Sequence, residues 1–380
     1  MAEANHHSFL MDRDPMSTDR HATRRSKLLS LIRRNGANPL LITNPRNVTY
    51  LTGFTGEDTY LLIGPQQLQL FSDSRFETQL KDECPEIPAE IRTARTLMPE
   101  FLASLLPRFN LKAVGIESTS MVASVRDMLV EKLKPIEIVS QPGLVEELRM
   151  IKDAEEIQEL RAAIRQAERG FELMRSLLMT EQTERQAAHD LEHGMRRFGA
   201  LRAAFEPIIA VGDHAALPHY RAGLRTFQEA GFALVDWGAV SGKGYHSDLT
   251  RLLVTSKLPP KLHQIYGVVL KAQLAGIAAI RPGARCQDVD AAARKVIEEA
   301  GYSKYFGHGL GHGIGLDIHE WPRFSPISND ELKPGMTVTV EPGIYLPGIG
   351  GVRIEDDILV TRDGHEVLSS LPKEVPFVAG

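Results

Sequence analysis

The stretch "FGHGLGHGIGLDIHE", residues 306–320, decides how this chain is read, because three histidines and five glycines in fifteen positions serve no core-packing pattern. Phosphate-cradling loops are glycine-rich, so a nucleotide site is the first possibility. The dinucleotide pattern needs glycines at its first, third and sixth places, whereas Gly307, Gly309, Gly311, Gly313 and Gly315 alternate strictly. No G-x-x-x-x-G-K-S/T occurs. His319-Glu320 begins as H-E-x-x-H does, but Arg323 stands where the second histidine belongs. The imidazoles must therefore work with residues elsewhere in the chain.

The 380 residues suffice for two domains with sizeable cores. A net charge of -5 leaves no footprint for polyanions, which argues against nucleic acid and acidic membrane surfaces as partners. Cys84 and Cys286 are the two cysteines; they make no disulfide framework and suit a reducing compartment. The first 23 residues carry charges throughout and have no apolar core of signal-peptide length, so they read as a disordered tail. "IYGVVLKAQLAGIAAI" is too short and too interrupted to span a bilayer. A cytoplasmic protein is expected.

From residue 24 the chain alternates helical and strand patterns: "SKLLSLIRRNG", "PLLIT", "TYLLIG", "LQLFSD", "FLASLLPRF", "KAVGIES" and "VRDMLVEKL". This predicts an α/β domain over 24–145, closed by the proline- and glycine-bearing "KPIEIVSQPG". A second domain is expected over 146–376. In it Ile157, Leu160, Ile164, Ala167, Phe171, Met174 and Leu178 keep helical spacing, and further helices are expected over 183–198, 261–281 and 287–300. The strands "FALVDWGAV", "DLTRLLVT", "MTVTVEP" and "GVRIEDDILVT" point to an α+β domain with a largely antiparallel sheet built from hairpins.

Carboxylates sit inside or at the ends of these apolar strands: Asp236, Asp248, Glu341 and Glu355. A single aspartate at a strand end is usually a turn-former. Four acidic residues in half-buried strands are costly unless a cation neutralises them. With one histidine from the glycine stretch they would suit a pair of divalent ions, and an oxygen-rich set favours manganese, with cobalt or zinc as alternatives.

The motifs "PHY", "VDWGA…YHSDLTR", "GHGLGHGIGLDIHE", "PGMTVTVEPGIY" and "GGVRIEDDILVT", in this order, resemble the pita-bread metallopeptidases, which include methionine aminopeptidases, aminopeptidase P and prolidase. "NPRNVTYLTGFTG" and "FSDSRFETQ" resemble the smaller creatinase-type N-terminal α/β domain that aminopeptidase P and prolidase carry. The resemblance covers about residues 24–376. It implies a pita-bread catalytic domain and places five metal ligands on Asp236, Asp248, His312, Glu341 and Glu355. It further implies that His219, His308 and His319 lie at the substrate and that the partner is a small peptide with proline second, taken by a homodimer.

On this reading two ions about 3.5–4 Å apart activate a water. Glu341 acts as general base, and His219 and His319 donate to the tetrahedral intermediate. Arg353, two residues from Glu355, orients that ligand or meets a substrate carboxylate. Arg323, in "HEWPRFS", matches an arginine that binds the free carboxylate of a dipeptide in prolidases, which favours an Xaa-Pro dipeptidase over an aminopeptidase P acting on longer peptides. Creatinase-like chemistry without metals and a non-catalytic binding relative are rivals that the retained ligand types disfavour. One departure bears on the site: Asp236 and Asp248 are twelve apart, one more than is common in the family resembled. An extra residue in a hairpin turns a side chain to the other face unless the turn or a bulge absorbs it.

Overall fold

The structure, a computed structural model, describes residues 20–373. The chain divides into two compact units, Met1–Leu148 and Arg149–Gly380. Most of the expected tail, residues 1–19, lies outside the described residues, while Arg20 already belongs to the helix Arg20–Arg34.

The first unit is built on a six-stranded mixed sheet. Tyr60–Gly64 pairs antiparallel with both Leu40–Ile42 and Gln67–Asp73, and the strands beyond them join in parallel. "PRNVTYLT", unassigned in the sequence, forms the helix Pro45–Thr52: Asn44 caps it through its side chain, a proline stands at its start, and Gly53 ends it at φ 83. "KPIEIVSQPG", read as the boundary, contains the edge strand Glu137–Ser140.

In the second unit every recorded strand pair is antiparallel, and helices cover the sheets. The helix Ala154–Leu177 starts at a capping box made by Asp153 and Glu156, and Glu184–Arg197 at one made by Thr183 and Gln186. The strand Phe232–Trp237 runs between Ile208–Val211 and Leu249–Val254 and is buried on both faces. Its even residues Phe232 and Leu234 join the core under the helices Pro260–Ala279 and Cys286–Glu299. Its odd residues Ala233, Val235 and Trp237 pack toward the two earlier helices, where Trp237 stacks on Phe171 at 4.4 Å. Asp236 closes the even face.

A second, five-stranded sheet has the order 320–324, 311–313, 337–340, 356–360, 365–367. "GVRIEDDILVT", expected as one strand, is two: Gly350–Arg353 pairs with Gly343–Leu346, and Asp356–Val360 pairs with Thr337–Val340. The facing strand breaks at the same level, at Glu341 and Pro342, and Pro342 has no N–H for a ladder. Glu355 instead bridges to Thr250 of the three-stranded sheet. The two sheets therefore meet where the acidic residues lie.

Candidate metal centre

The hairpin carrying the two aspartates keeps its register. Pairing runs from Phe232↔Val254 to Trp237↔Leu249 and continues at the Val240↔His246 bridge without a slip. The extra residue is taken up in the turn at 241–245, closed by bonds from Ser241 N to Tyr245 O and from Gly244 N to Ser241 O. Asp236 lies opposite Thr250, so Asp248, two residues before Thr250, shares its face.

Asp236, Asp248, His312, Glu341 and Glu355 line one cavity of about 460 Å³, together with His219, His308, His319, Arg323 and Arg353. All ten residues singled out in the sequence are thus brought together. Ligand atoms of Asp248, His312 and Glu355 lie within 4.8 Å of one another. Nδ1 of His312 is 3.0 Å from the carbonyl of Gly313, so that nitrogen carries the hydrogen. Nε2 is left facing Glu341 Oε1 at 3.3 Å and Asp248 Oδ2 at 3.6 Å.

A cation fits this donor set. Oδ1 of Asp236 and Oε1 of Glu355 are buried without a hydrogen-bond partner among the described residues. Burial first, and then the neighbouring carboxylates, push Asp248 and Glu355 well above the usual carboxylate range. Burial also raises Asp236, against the pull of Arg353. Burial works to raise Glu341 too, but His312 beside it prevails and brings it to about 2. Divalent ions would offset this crowding of negative charge, and the residues placed to hold them are the five named.

The supports of the site come from all sides. Thr250 Oγ1 donates to Glu355 Oε2 at 2.7 Å, and Thr339 Oγ1 to Glu341 Oε1 at 3.2 Å. The Arg353 guanidinium is buried and ion-paired with Asp236, and it donates to Thr250 Oγ1 at 3.1 Å and to the Tyr345 hydroxyl at 2.7 Å. Its recorded carboxylate partner is therefore Asp236 rather than Glu355, because the strand expected to align Arg353 with Glu355 breaks between them. The loop 306–310 is clamped by Arg294, which donates to the carbonyls of Phe306 at 3.2 Å and His308 at 2.9 Å. Arg294 is itself held by the buried Asp290 at 2.8 Å.

The other three histidines of the cavity differ in what they have free. His308 donates from Nδ1 to Gly309 O at 2.8 Å and takes the Tyr345 hydroxyl on Nε2 at 3.0 Å. His219 and His319 have no hydrogen bond among the described residues. His319 packs edge-on against His312 at 4.5 Å, and burial, helped by the charges of His312 and Arg323, brings it down to about 4. Arg323 lies not in a loop but in the strand Glu320–Phe324, directly across from His312. It is exposed and makes no hydrogen bond or ion pair among the described residues.

Several glycines of the opening stretch serve close packing. A Cβ on Gly311 would stand 2.1 Å from Thr339 O, one on Gly313 2.1 Å from Trp321 O, and one on Gly315 2.7 Å from the Glu320 carboxylate. Tyr345, Thr250, Thr339 and Arg294 escaped the sequence reading. Their roles depend on neighbours that only the folded chain brings into contact, or on strands whose breaks periodicity does not mark.

Residues 158–362 match the family model of metallopeptidase family M24, and residues 24–151 match that of the Creatinase/Prolidase N-terminal domain. The chain is similar to the Xaa-Pro dipeptidase from Bacillus anthracis, at 38% identity and a TM-score of 0.89 over 94% of this chain and 99% of that one. It is also similar to the prolidase from Pyrococcus horikoshii, at 34% identity and 0.85 over 93% and 100%. The X-Pro aminopeptidase from Thermotoga maritima follows at 31% and 0.82 over 93% and 99%. Fold and cavity together define a metal-dependent peptidase with an additional N-terminal domain. The chain belongs to metallopeptidase family M24.

Proposed function

We propose that the chain is an Xaa-Pro dipeptidase, hydrolysing the bond between an N-terminal residue and a proline that ends the substrate. The observation that carries the choice is the uncommitted guanidinium of Arg323 in the cavity, across the ladder from His312. A dipeptide brings a free carboxylate close to its scissile bond, and a guanidinium binds it through paired, charge-assisted hydrogen bonds. Similarity to the Bacillus anthracis dipeptidase and the Pyrococcus horikoshii prolidase supports this reading, and similarity to the Thermotoga maritima X-Pro aminopeptidase supports the runner-up, cleavage of longer Xaa-Pro peptides.

Asp236, Asp248, His312, Glu341 and Glu355 would hold two divalent ions, manganese before cobalt or zinc, since four carboxylates and one imidazole form a hard donor set. Bound there, the ions supply a water of lowered pKa and Lewis-acid stabilisation of the attacked carbonyl oxygen. Glu341 takes the proton of the attacking water on its carboxylate and passes it to the proline nitrogen, which lacks a hydrogen of its own and must leave as an amine. His219 and His319, free of other hydrogen bonds, donate to the oxygen that gains charge. His308, both nitrogens engaged, meets the substrate as a wall, and Arg353 holds Asp236 in place. The domain over 24–145 takes no part in the chemistry.

The partner is a small peptide with proline second, not nucleic acid. No helix of the described residues is long and apolar enough to cross a membrane, and Cys84 and Cys286 are buried and unbonded, which supports a reducing, cytoplasmic setting. A homodimer would run at twice the chain mass in light scattering. Assaying Ala-Pro beside Ala-Pro-Ala with added manganese tests the choice of substrate: preference for the dipeptide supports it, and preference for the tripeptide replaces it with the aminopeptidase.

A further inference from the structure

Glu184, the first residue of the helix Glu184–Arg197, is fully buried, and no step proposed above uses it. A carboxylate shut away from water must have its oxygens satisfied. Oε1 accepts from Val211 N at 2.8 Å and from His214 Nδ1 at 2.7 Å. Oε2 accepts from the Tyr220 hydroxyl at 2.7 Å and from Gly223 N at 2.9 Å. These donors are spread along one loop, and His219 is next to Tyr220.

The loop is made to fit this carboxylate. His214 stacks on Tyr220 at 4.4 Å, which places both donors side by side. A Cβ on Gly223 would stand 2.7 Å from the Tyr220 hydroxyl and 3.1 Å from Glu184 Oε2, so the backbone approaches where only glycine clears both. On the far side Arg225 donates to Val211 O at 3.1 Å, and Arg353 reaches Pro218 O at 3.4 Å. His219 itself is exposed in the cavity and has no hydrogen bond among the described residues to fix it, so its place depends on its neighbours.

We infer that Glu184 is a positioning residue for the reaction: by gathering four donors of the 211–223 loop onto one buried carboxylate, it fixes His219 over the substrate. The inference rests on the proposed role of His219. Because an ionised carboxylate only accepts, it serves all four donors, whereas a glutamine would turn an NH₂ group against two of them. A displacement of about 1 Å at a catalytic donor lowers turnover by up to roughly 10²-fold.

The test compares kcat, KM and bound manganese for E184Q, Y220F, H219A and the double variants E184Q/H219A and Y220F/H219A, with Ala-Pro as substrate. In the wild-type background E184Q should lower kcat by roughly 10-fold to 10²-fold, and Y220F, which keeps the ring and removes one donor, by less. KM and metal content should stay near wild type. In the H219A background neither substitution should change kcat by more than about 2-fold, because the residue through which they act is gone. Equal losses in both backgrounds, or none in either, would overturn the assignment of Glu184. Wild-type turnover by H219A alone would instead overturn the role of His219, and the two failures are told apart by that single variant.

Discussion

Glu341 and Glu355 lie opposite each other across a broken ladder. Pairing stands at Val340↔Asp356 on one side and at Gly343↔Arg353 on the other, and the same register carried through the gap sets one glutamate against the other. Like charges placed directly opposite in a sheet destabilise it. Both strands break there, and a divalent cation held between the two, as proposed, would turn repulsion into coordination.

Metal removal should therefore cost stability as well as activity. A bound ion at a hundredfold excess over its Kd stabilises the folded chain by about 2.7 kcal/mol, so chelation should lower the thermal midpoint of the wild type. E355Q should have lost both turnover and this response to metal. Differential scanning with manganese and with chelator checks it; an E355Q midpoint that still rises with manganese would place the ion elsewhere.

His219 and His319 are assigned to the substrate and not to the metals. Alanine at either position should lower kcat by roughly 10²-fold or more. Metal content should stay near that of the wild type. Loss of bound metal in either variant would mean that the ligand set is misassigned.

In its proposed role at the substrate carboxylate, Arg323 would separate dipeptides from longer peptides. R323A removes a charge-assisted contact of about 1.5–3 kcal/mol, which lowers kcat/KM for Ala-Pro by roughly 10 to 150-fold. Ala-Pro-Ala, whose carboxylate lies one residue further on, should be much less affected. Equal losses on both substrates would remove the argument for a dipeptidase.

Glu320, beside His319, is buried between Arg149 at 2.6 Å and Lys152 at 3.0 Å. Burial works to raise it, but the charges of Lys152 and Arg149 outweigh that and hold it at about 2, below its ordinary 4.5. A carboxyl lowered on folding contributes stability that is complete above the ordinary value and is lost as pH falls toward the folded one. The difference corresponds to about 3 kcal/mol. E320Q should thus be less stable than the wild type at neutral pH, by a margin that narrows from about pH 5 to pH 3. Urea midpoints across that range measure the margin; a constant one would show that the charge of Glu320 plays no part.

Much of this was legible in the chain itself. Apolar periodicity marked the helix around Leu160, Ile164 and Phe171 and the strands around Val235 and Val338, since those residues bury one face or both. The acidic residues stood out because they interrupt those same strands. What periodicity could not mark were the breaks at Pro342 and Ile354, which depend on how two sheets cross, and the helix Pro45–Thr52, whose polar caps outweigh its short apolar pattern. Glu184, Arg294 and Tyr345 were silent for a further reason: each is defined by partners that only folding brings near.

In the proposed reaction, Asp236, Asp248, His312, Glu341 and Glu355 hold the divalent ions that activate water. The most direct measurement is the metal content of purified protein, read together with Ala-Pro hydrolysis before chelation, after it, and after manganese is returned. The expected result is two ions per chain, loss of hydrolysis when they are stripped, recovery on their return, and no recovery in D248A. Full hydrolysis by exhaustively chelated protein would contradict it.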